Sequence, residues 1–513
     1  MKRGNLKIMK HILYSVGIFL VLAVFGLVQS CGNNTAQSDT MNKQPADAKI
    51  TEAVKNTMRN ARGIVSPENI RVKTDSGIVT FSGQIDNLLA KDRASRLAEQ
   101  VKGVRAVINN LIVNSDRPDA KIRSDVAMAL DSDPATEDLS LETKVNNGKV
   151  TLAGHVDSWQ EHELAETVVK GIRGVTEIEN NINVNFDLQR PDSEIKPEVE
   201  SALRWDTRID AGSIGVSVEN NLVRLTGTVG SAHEKRLAKQ KAYVAGASFV
   251  DASSLEVKSW QRAEMIQDKG KSLKDSEITS AIVEALKMDP RVNARSISVS
   301  VVDGKVTLTG SVDNMKAKRS AAQDAKNTRG VSYLTNNINV GPVKSIADSK
   351  LEQQIQQAIS RDPFTTTKAI RVVVNDGHVT LNGTAESYFA KWQIGNIVSK
   401  INGVVTMDNN ISVPYEQQSS QQAFADWDPV GTDFDYTPKD YQAIQLKDAI
   451  RYQFEWSSYL TESDIHVSVN DGVVTLSGTV NTPYEKNQAT QETYEAGADS
   501  VVNKIEVEYL PQL

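Results

Sequence analysis

Val301-Val302-Asp303-Gly304-Lys305-Val306-Thr307-Leu308-Thr309-Gly310-Ser311-Val312 decides the fold, because the chain keeps returning to it. Asp75-Ser76-Gly77-Ile78-Val79-Thr80-Phe81-Ser82-Gly83 and Asn147-Gly148-Lys149-Val150-Thr151-Leu152-Ala153-Gly154 are earlier copies. Asn221–Gly227, Asp376–Gly383 and Asp471–Gly478 complete a set of six. Self-similarity at a fixed spacing is read before anything else, since it sets the architecture. The units are about 70 residues long, small enough that each alone is marginally stable and gains from contact with others.

Inside one copy the alternation of Ile297, Val299 and Val301 with Ser298 and Ser300 predicts a strand with one buried face. Asp303-Gly304 suits the positive backbone angles of a tight hairpin turn, and Asn220-Asn221 is the best substitute for it in the third copy. Gly310 shares parity with Val306 and Leu308, so it is expected to face the core where a second helix crosses. Upstream, Asp47, Asp119, Asp192, Asp275 and Asp348 stand where a helix N-cap belongs. Apolar residues follow four apart, as in Ile278, Ile282 and Leu286, and Asp133-Pro134, Asp289-Pro290 and Asp362-Pro363 stop the helix. Downstream, a second amphipathic helix runs into Gly103, Gly174, Gly330 or Gly403 as its C-cap. A last strand carries Asn109-Asn110, Asn180-Asn181, Asn336-Asn337 or Asn409-Asn410.

The fold class is therefore α+β: six tandem αββαβ modules, each a small three-stranded sheet packed by two helices. Strands two and three are expected to be parallel, joined by a right-handed helical crossover. The unit, with its G-x-V-T-L-x-G-x-V and its later Gly-Val ahead of Asn-Asn-[Ile/Leu], resembles the BON (bacterial OsmY and nodulation) domain family over nearly all of the exported chain. That resemblance implies an envelope-associated module that binds phospholipid or maintains the envelope, in some members under osmotic stress or as a chaperone. It implies no catalytic or universal ligand residues.

The expected domains are a lipoprotein signal peptide (1–30), a flexible tether (31–46) and repeats at 47–115, 119–187, 192–260, 275–342 and 348–415. An acidic, aromatic linker (416–439) precedes the sixth repeat (440–511). Lys2, Arg3, Lys7 and Lys10 precede an apolar run from Ile12 to Val28, short for a membrane span and right for a leader. The run stops at the chain's one cysteine, Cys31, in a context similar to a lipoprotein lipobox. Acylation of Cys31 would anchor the protein in the outer membrane, facing the periplasm, and would leave the exported part without a thiol. With those four positive charges in the leader, the remainder is more acidic than the formal −7 of the whole chain. That balance argues against a nucleic-acid partner.

Repeats three and six form a second class. They lack the Gly-Val and the Asn pair and carry Tyr243-Val244-Ala245-Gly246-Ala247 and Tyr494-Glu495-Ala496-Gly497-Ala498 instead. Each also places a tryptophan, Trp205 or Trp456, ahead of its first strand, so a block of three repeats has been duplicated. These tryptophans suit either inter-repeat packing or an interfacial contact with lipid or protein. Repeat four is the more basic and repeat six strongly acidic, so Lys316, Lys318 and Arg319 are candidates for anionic headgroups, against a plain solvated helix face.

Six histidines, none in His-Glu-x-x-His spacing, offer no zinc site, and no nucleophile elbow or phosphate-binding loop occurs. The reading is a non-enzymatic protein with no cofactor, no metal and no catalytic residues: six modules extend from a lipid anchor and bind phospholipid or envelope proteins multivalently. The alternatives are a periplasmic stress chaperone and a scaffold for envelope complexes.

Overall fold

The computed structural model describes residues 43–61, 63–186, 190–261, 273–341, 346–365, 370–386, 388–412, 443–460, 464–470, 473–498 and 500–507. Residues Gln44–Leu513 form one compact unit. The leader, Cys31 and the 416–439 linker lie outside the described residues.

Module four shows the plan. A helix (Asp275–Met288) leads to a hairpin (Ile297–Val302 and Lys305–Val312), a second helix (Met315–Lys326) and a last strand (Tyr333–Val340). The middle strand is central: Val299 pairs antiparallel with Leu308, and Leu308 pairs parallel with Asn336. Both helices cover one face, so Val306, Leu308, Val312 and Ile338 are buried against Ile278, Ile282, Ala321 and Ala325. The other modules repeat the order. Module three departs at its last strand, which is split into Phe249–Asp251 and Leu255–Val257. Asp251 pairs with Arg224 and Leu255 with Gly227, so three residues oppose two and the strand bulges where the Asn pair is missing.

Three local expectations are corrected. The repeated Asp is not an N-cap: Asp275 is the first helical residue, and Lys274 occupies the cap position. Its carboxylate instead spans the hairpin turn, accepting from Asp303 N at 2.9 Å and Gly304 N at 3.0 Å. Asp47, Asp119, Asp192 and Asp348 do the same in their modules. Both turn residues have positive φ (50° and 70° in module four), which aims the two amides to the same side. A helix start is thus tied to a turn 28 residues on.

Gly310 does not face the core. It is exposed, with φ +122°, and a Cβ there would lie 2.0 Å from the Ser296 carbonyl oxygen. The entry of the neighbouring strand, not the second helix, excludes a side chain. Gly103 and its equivalents are not helix C-caps either: the helix Leu88–Glu99 caps at Gln100, and Gly103 lies in the turn beyond, at φ +91°. A Cβ on Gly103 would meet Ile50 Cδ1 at 2.9 Å, so this glycine lets the first helix close on the turn.

The Asn of the last strand has a use that its position did not reveal. Asn109, Asn180, Asn336 and Asn409 each donate to a main-chain carbonyl of the second helix, at 2.7 to 3.2 Å. Repeat six lacks the pair but keeps the bond, through Asn503 to Lys486 O at 2.8 Å. Module three reverses the donor: Lys235 Nζ reaches back to Leu255 O at 2.6 Å.

Candidate functional site: module seams and the cavity they enclose

The modules do not hang separately, as the sequence suggests; they interlock, and two of the three helix-end pairings join modules far apart in the sequence. The first helix of module three ends at Trp205, whose carbonyl accepts from Arg329 N of module four at 2.8 Å. Thr207 N then donates to Asn327 O at 2.8 Å. The first helix of module six ends at Trp456, whose carbonyl accepts from Lys102 N of module one at 2.8 Å, and Ser458 N donates to Gln100 O at 3.0 Å. Modules five and two meet likewise, Arg173 N donating to Arg361 O at 2.7 Å. The physical reason is common to all: last-turn carbonyls of a helix have no intrahelical donor, and a neighbouring module supplies one. Pairing one with six, two with five and three with four means that the two three-repeat blocks face each other, as in a dimer written into one chain.

Tyrosines of the second class join modules inside each block. Tyr243 of module three lies 4.6 Å, centroid to centroid, from Trp159 of module two, whose indole donates to Ala247 O at 2.7 Å. Tyr494 of module six packs against the core of module five. Block one is also laced by ion pairs between second helices, Arg236 with Glu99 at 2.7 Å and Lys170 with Asp92 at 3.9 Å.

The candidate residues from the sequence are therefore at seams. Trp205 is half-buried and packs against the core of module four, and Trp456 is half-buried and packs against the joint core of modules one and two. Lys316, Lys318 and Arg319 are half-buried on a helix whose neighbour is the second helix of module five, Tyr388–Ser399.

Two seams carry different electrostatics. Beside Trp205, buried Asp206 accepts from Arg208 Nε at 2.8 Å and Nη2 at 2.6 Å, with Lys241 Nζ at 3.6 Å. Burial opposes its charge, but these cations hold the carboxyl well below the usual range. Beside Trp456, buried Glu492 accepts only from neutral donors, Ser457 Oγ at 2.6 Å and Gln488 Nε2 at 3.0 Å. Burial pushes Glu492 up to about 8. Next to it Glu495 pairs with Arg93 of module one at 2.6 Å, both buried, and burial lowers the Arg93 pKa.

Modules one, two, four and five together line a cavity of ≈ 430 Å³ that is partly open to solvent. One wall is aromatic: Phe364 meets Phe389 edge-on at 4.6 Å, and Phe389 stacks on Trp392 at 6.3 Å. Leu164, Val168 and Ile397 continue it. Arg361 and Lys400 bring positive charge, both pKa values lowered by burial. Arg291 chelates Asp133, 3.1 Å to each oxygen, while Asp362 accepts from Gln393 at 2.6 Å and is pushed up to about 6 by burial. Sequence reading missed this wall. Its available signal was the helix Tyr388–Ser399, the most apolar of the second helices, in which Lys391 is the one charged residue. Among the described residues no group of three His, Cys, Asp or Glu could hold a metal ion.

Hairpin, crossover and repeat define a family, and the family model for the BON domain matches residues 46–115, 118–185, 191–259, 274–342, 347–415 and 445–509. The matches span well over half of the chain, which belongs to the BON domain family. Osmotically-inducible protein Y of Escherichia coli is 28% identical over 144 residues, 26% of this chain and 71% of the relative. Outer membrane lipoprotein DolP of Haemophilus influenzae is 28% identical over 140 residues, 26% of this chain and 72% of the relative. A solved chain of CdsD, a structural protein of the type III secretion system of Chlamydia trachomatis, is 16% identical and aligns with 44% of this chain and 94% of its own, with a TM-score of 0.13.

Proposed function

We propose that this is a non-enzymatic bacterial envelope protein, anchored through acylated Cys31 in the outer membrane and working by contact with phospholipid membrane or envelope partners, in envelope maintenance under osmotic stress. The names of the two relatives, one osmotically inducible and one an outer membrane lipoprotein, support the setting. The lipobox-like Val28–Gly32 supports the anchor.

One observation carries the mode of action: helices are consumed by assembly, whereas the outer faces of the sheets are left over. In module one the outer row runs Lys73, Thr80, Ile108, with Ile78 and Ile112 on the same face, 37% and 58% exposed. In module four Val302, Lys305 and Tyr333 form such a row, Tyr333 being 64% exposed. Apolar tips beside lysines match a headgroup boundary. We therefore assign contact to these faces, and give Trp205 and Trp456 to the seams.

The test is co-flotation of residues 32–513 with anionic and with neutral liposomes, alongside suppression of client aggregation. Flotation that is lost in an Ile108→Ser/Ile112→Ser double variant supports membrane contact. Suppression without flotation makes the protein a chaperone, and neither result leaves a scaffold.

A further inference from the structure

The cavity between modules one, two, four and five has the volume of an ordinary small-molecule site, ≈ 430 Å³ against a usual range of about 300–1,000 Å³. Its lining divides into a rigid aromatic wall and a charged end. Aromatic groups held edge-on and stacked, as Phe364, Phe389 and Trp392 are, offer apolar surface at little entropic cost. The charged end decides the sign of the ligand.

Each carboxylate at the cavity is already engaged. Asp133 is chelated by Arg291, Asp362 accepts from Gln393, and Glu163 accepts from Gln240 at 3.1 Å. Asp289 accepts from Arg291 N at 2.8 Å, and burial together with the Asp289 charge pushes the Asp324 carboxyl well above its usual range. The cations are less well matched. Arg361 is 5% exposed, and its guanidinium bonds the Ser132 hydroxyl at 3.3 Å, with Asp125 the carboxylate acting on it through space. Burial and the Arg291 charge lower the Lys400 pKa more than Asp133 and Asp362 raise it, Asp133 being chelated by Arg291 and Asp362 pushed up by its own burial. A desolvated cation of this kind gains most from an anion that enters with its own charge. A purely inorganic anion would leave the aromatic wall unused.

We propose that this cavity binds a small anionic amphiphile, a carboxylate or phosphate head on an apolar chain, with Arg361 and Lys400 at the head and Phe364, Phe389 and Trp392 along the chain. The site lies between modules on their helical side, so it is separate from the outer sheet faces and stands whether or not those touch a membrane. Because four modules build it, the ligand would also brace the two three-repeat blocks against each other.

Titration calorimetry on the compact body, residues 44–513, tests this with dodecanoate, dodecyl phosphate and uncharged dodecanol, each below its aggregation threshold. The expected result is one site per chain for both anions, with dodecanol at least tenfold weaker. Preference for dodecanoate would name a free fatty acid as the source, and preference for dodecyl phosphate a phosphate monoester. Lys400→Met should weaken both anions at least tenfold without moving dodecanol, Lys400→Arg should restore them, and Trp392→Ala should weaken all three. If Lys400→Met does not fold, Arg361→Gln replaces it with the same expectation. Equal binding of dodecanol, several sites per chain, or full anion affinity in a folded Lys400→Met would overturn the proposal.

Discussion

The seam between modules three and four and the seam between six and one share a backbone and differ in charge. In both, a helix ending in tryptophan gives its last carbonyl to the amide two residues past the next module's helix cap, and a second bond closes two residues on. Yet Asp206 at the first seam is a fully ionised carboxylate wrapped by Arg208 and Lys241, whereas Glu492 at the second is a protonated one among hydroxyl and amide groups. The duplicated block kept the interaction that defines the geometry, main chain to main chain, and let the side chains around it drift. Main-chain pairing needs only the right helix length and a free donor, so it survives substitution; buried charge must be balanced locally, and each seam has balanced it differently.

The largest effect expected is at the charged seam. Asp206→Ala leaves the largely covered Arg208 guanidinium, 17% exposed, without its buried partner and should cost about 3–5 kcal/mol, read from denaturant unfolding. Next, Trp205→Ala and Trp456→Ala should each cost about 2–3 kcal/mol, the indoles being half-buried, and by similar amounts. Scanning calorimetry should show a low-temperature shoulder in each; a cost confined to one variant would break the equivalence of the seams.

Their pH responses should be opposite in sense. Asp206 has a folded pKa below its ordinary 3.8, so its stabilisation is present above that pH and is lost as pH falls below it. Glu492 has a folded pKa raised from 4.5 to about 8, so the seam is most stable below pH 4.5 and loses stability as pH rises towards 8. Glu492→Gln should abolish that decline and stabilise the protein at pH 8 by on the order of 2 kcal/mol, and an unchanged profile would show that Glu492 does not titrate in the seam. The smallest effect is common to the first five modules: Asp275→Ala removes two bonds to an exposed turn and should cost about 1 kcal/mol, with faster amide exchange at Asp303 and Gly304.

Much of the module was readable because its signals are local. Strand parity, the turn at Asp303-Gly304, the helix stop at Asp289-Pro290 and the parallel crossover all depend on residues close in sequence, and six copies corroborated one another. The misreadings share a cause. Local pattern points Asp275 and Gly310 to the nearest plausible partner along the chain, whereas their partners are a turn and a strand entry. An N-cap and a first helical residue differ by one position, and an aspartate suits both. The cavity was less legible still. Arg361, Lys400, Phe389 and Trp392 follow no motif, and only the unusually apolar composition of Tyr388–Ser399 marked their neighbourhood as buried.

The sequence by itself determined the six modules, the succession of helices and strands in each, the two classes of repeat and the family, since these rest on periodicity and turn chemistry that each copy restates; which strand is central was decided by the pairing in the tertiary structure. Only the tertiary structure decided that module one meets six, two meets five and three meets four, and that four of them line a cavity. Those contacts join main-chain groups at helix ends, which every residue type carries, so no side-chain pattern announces them.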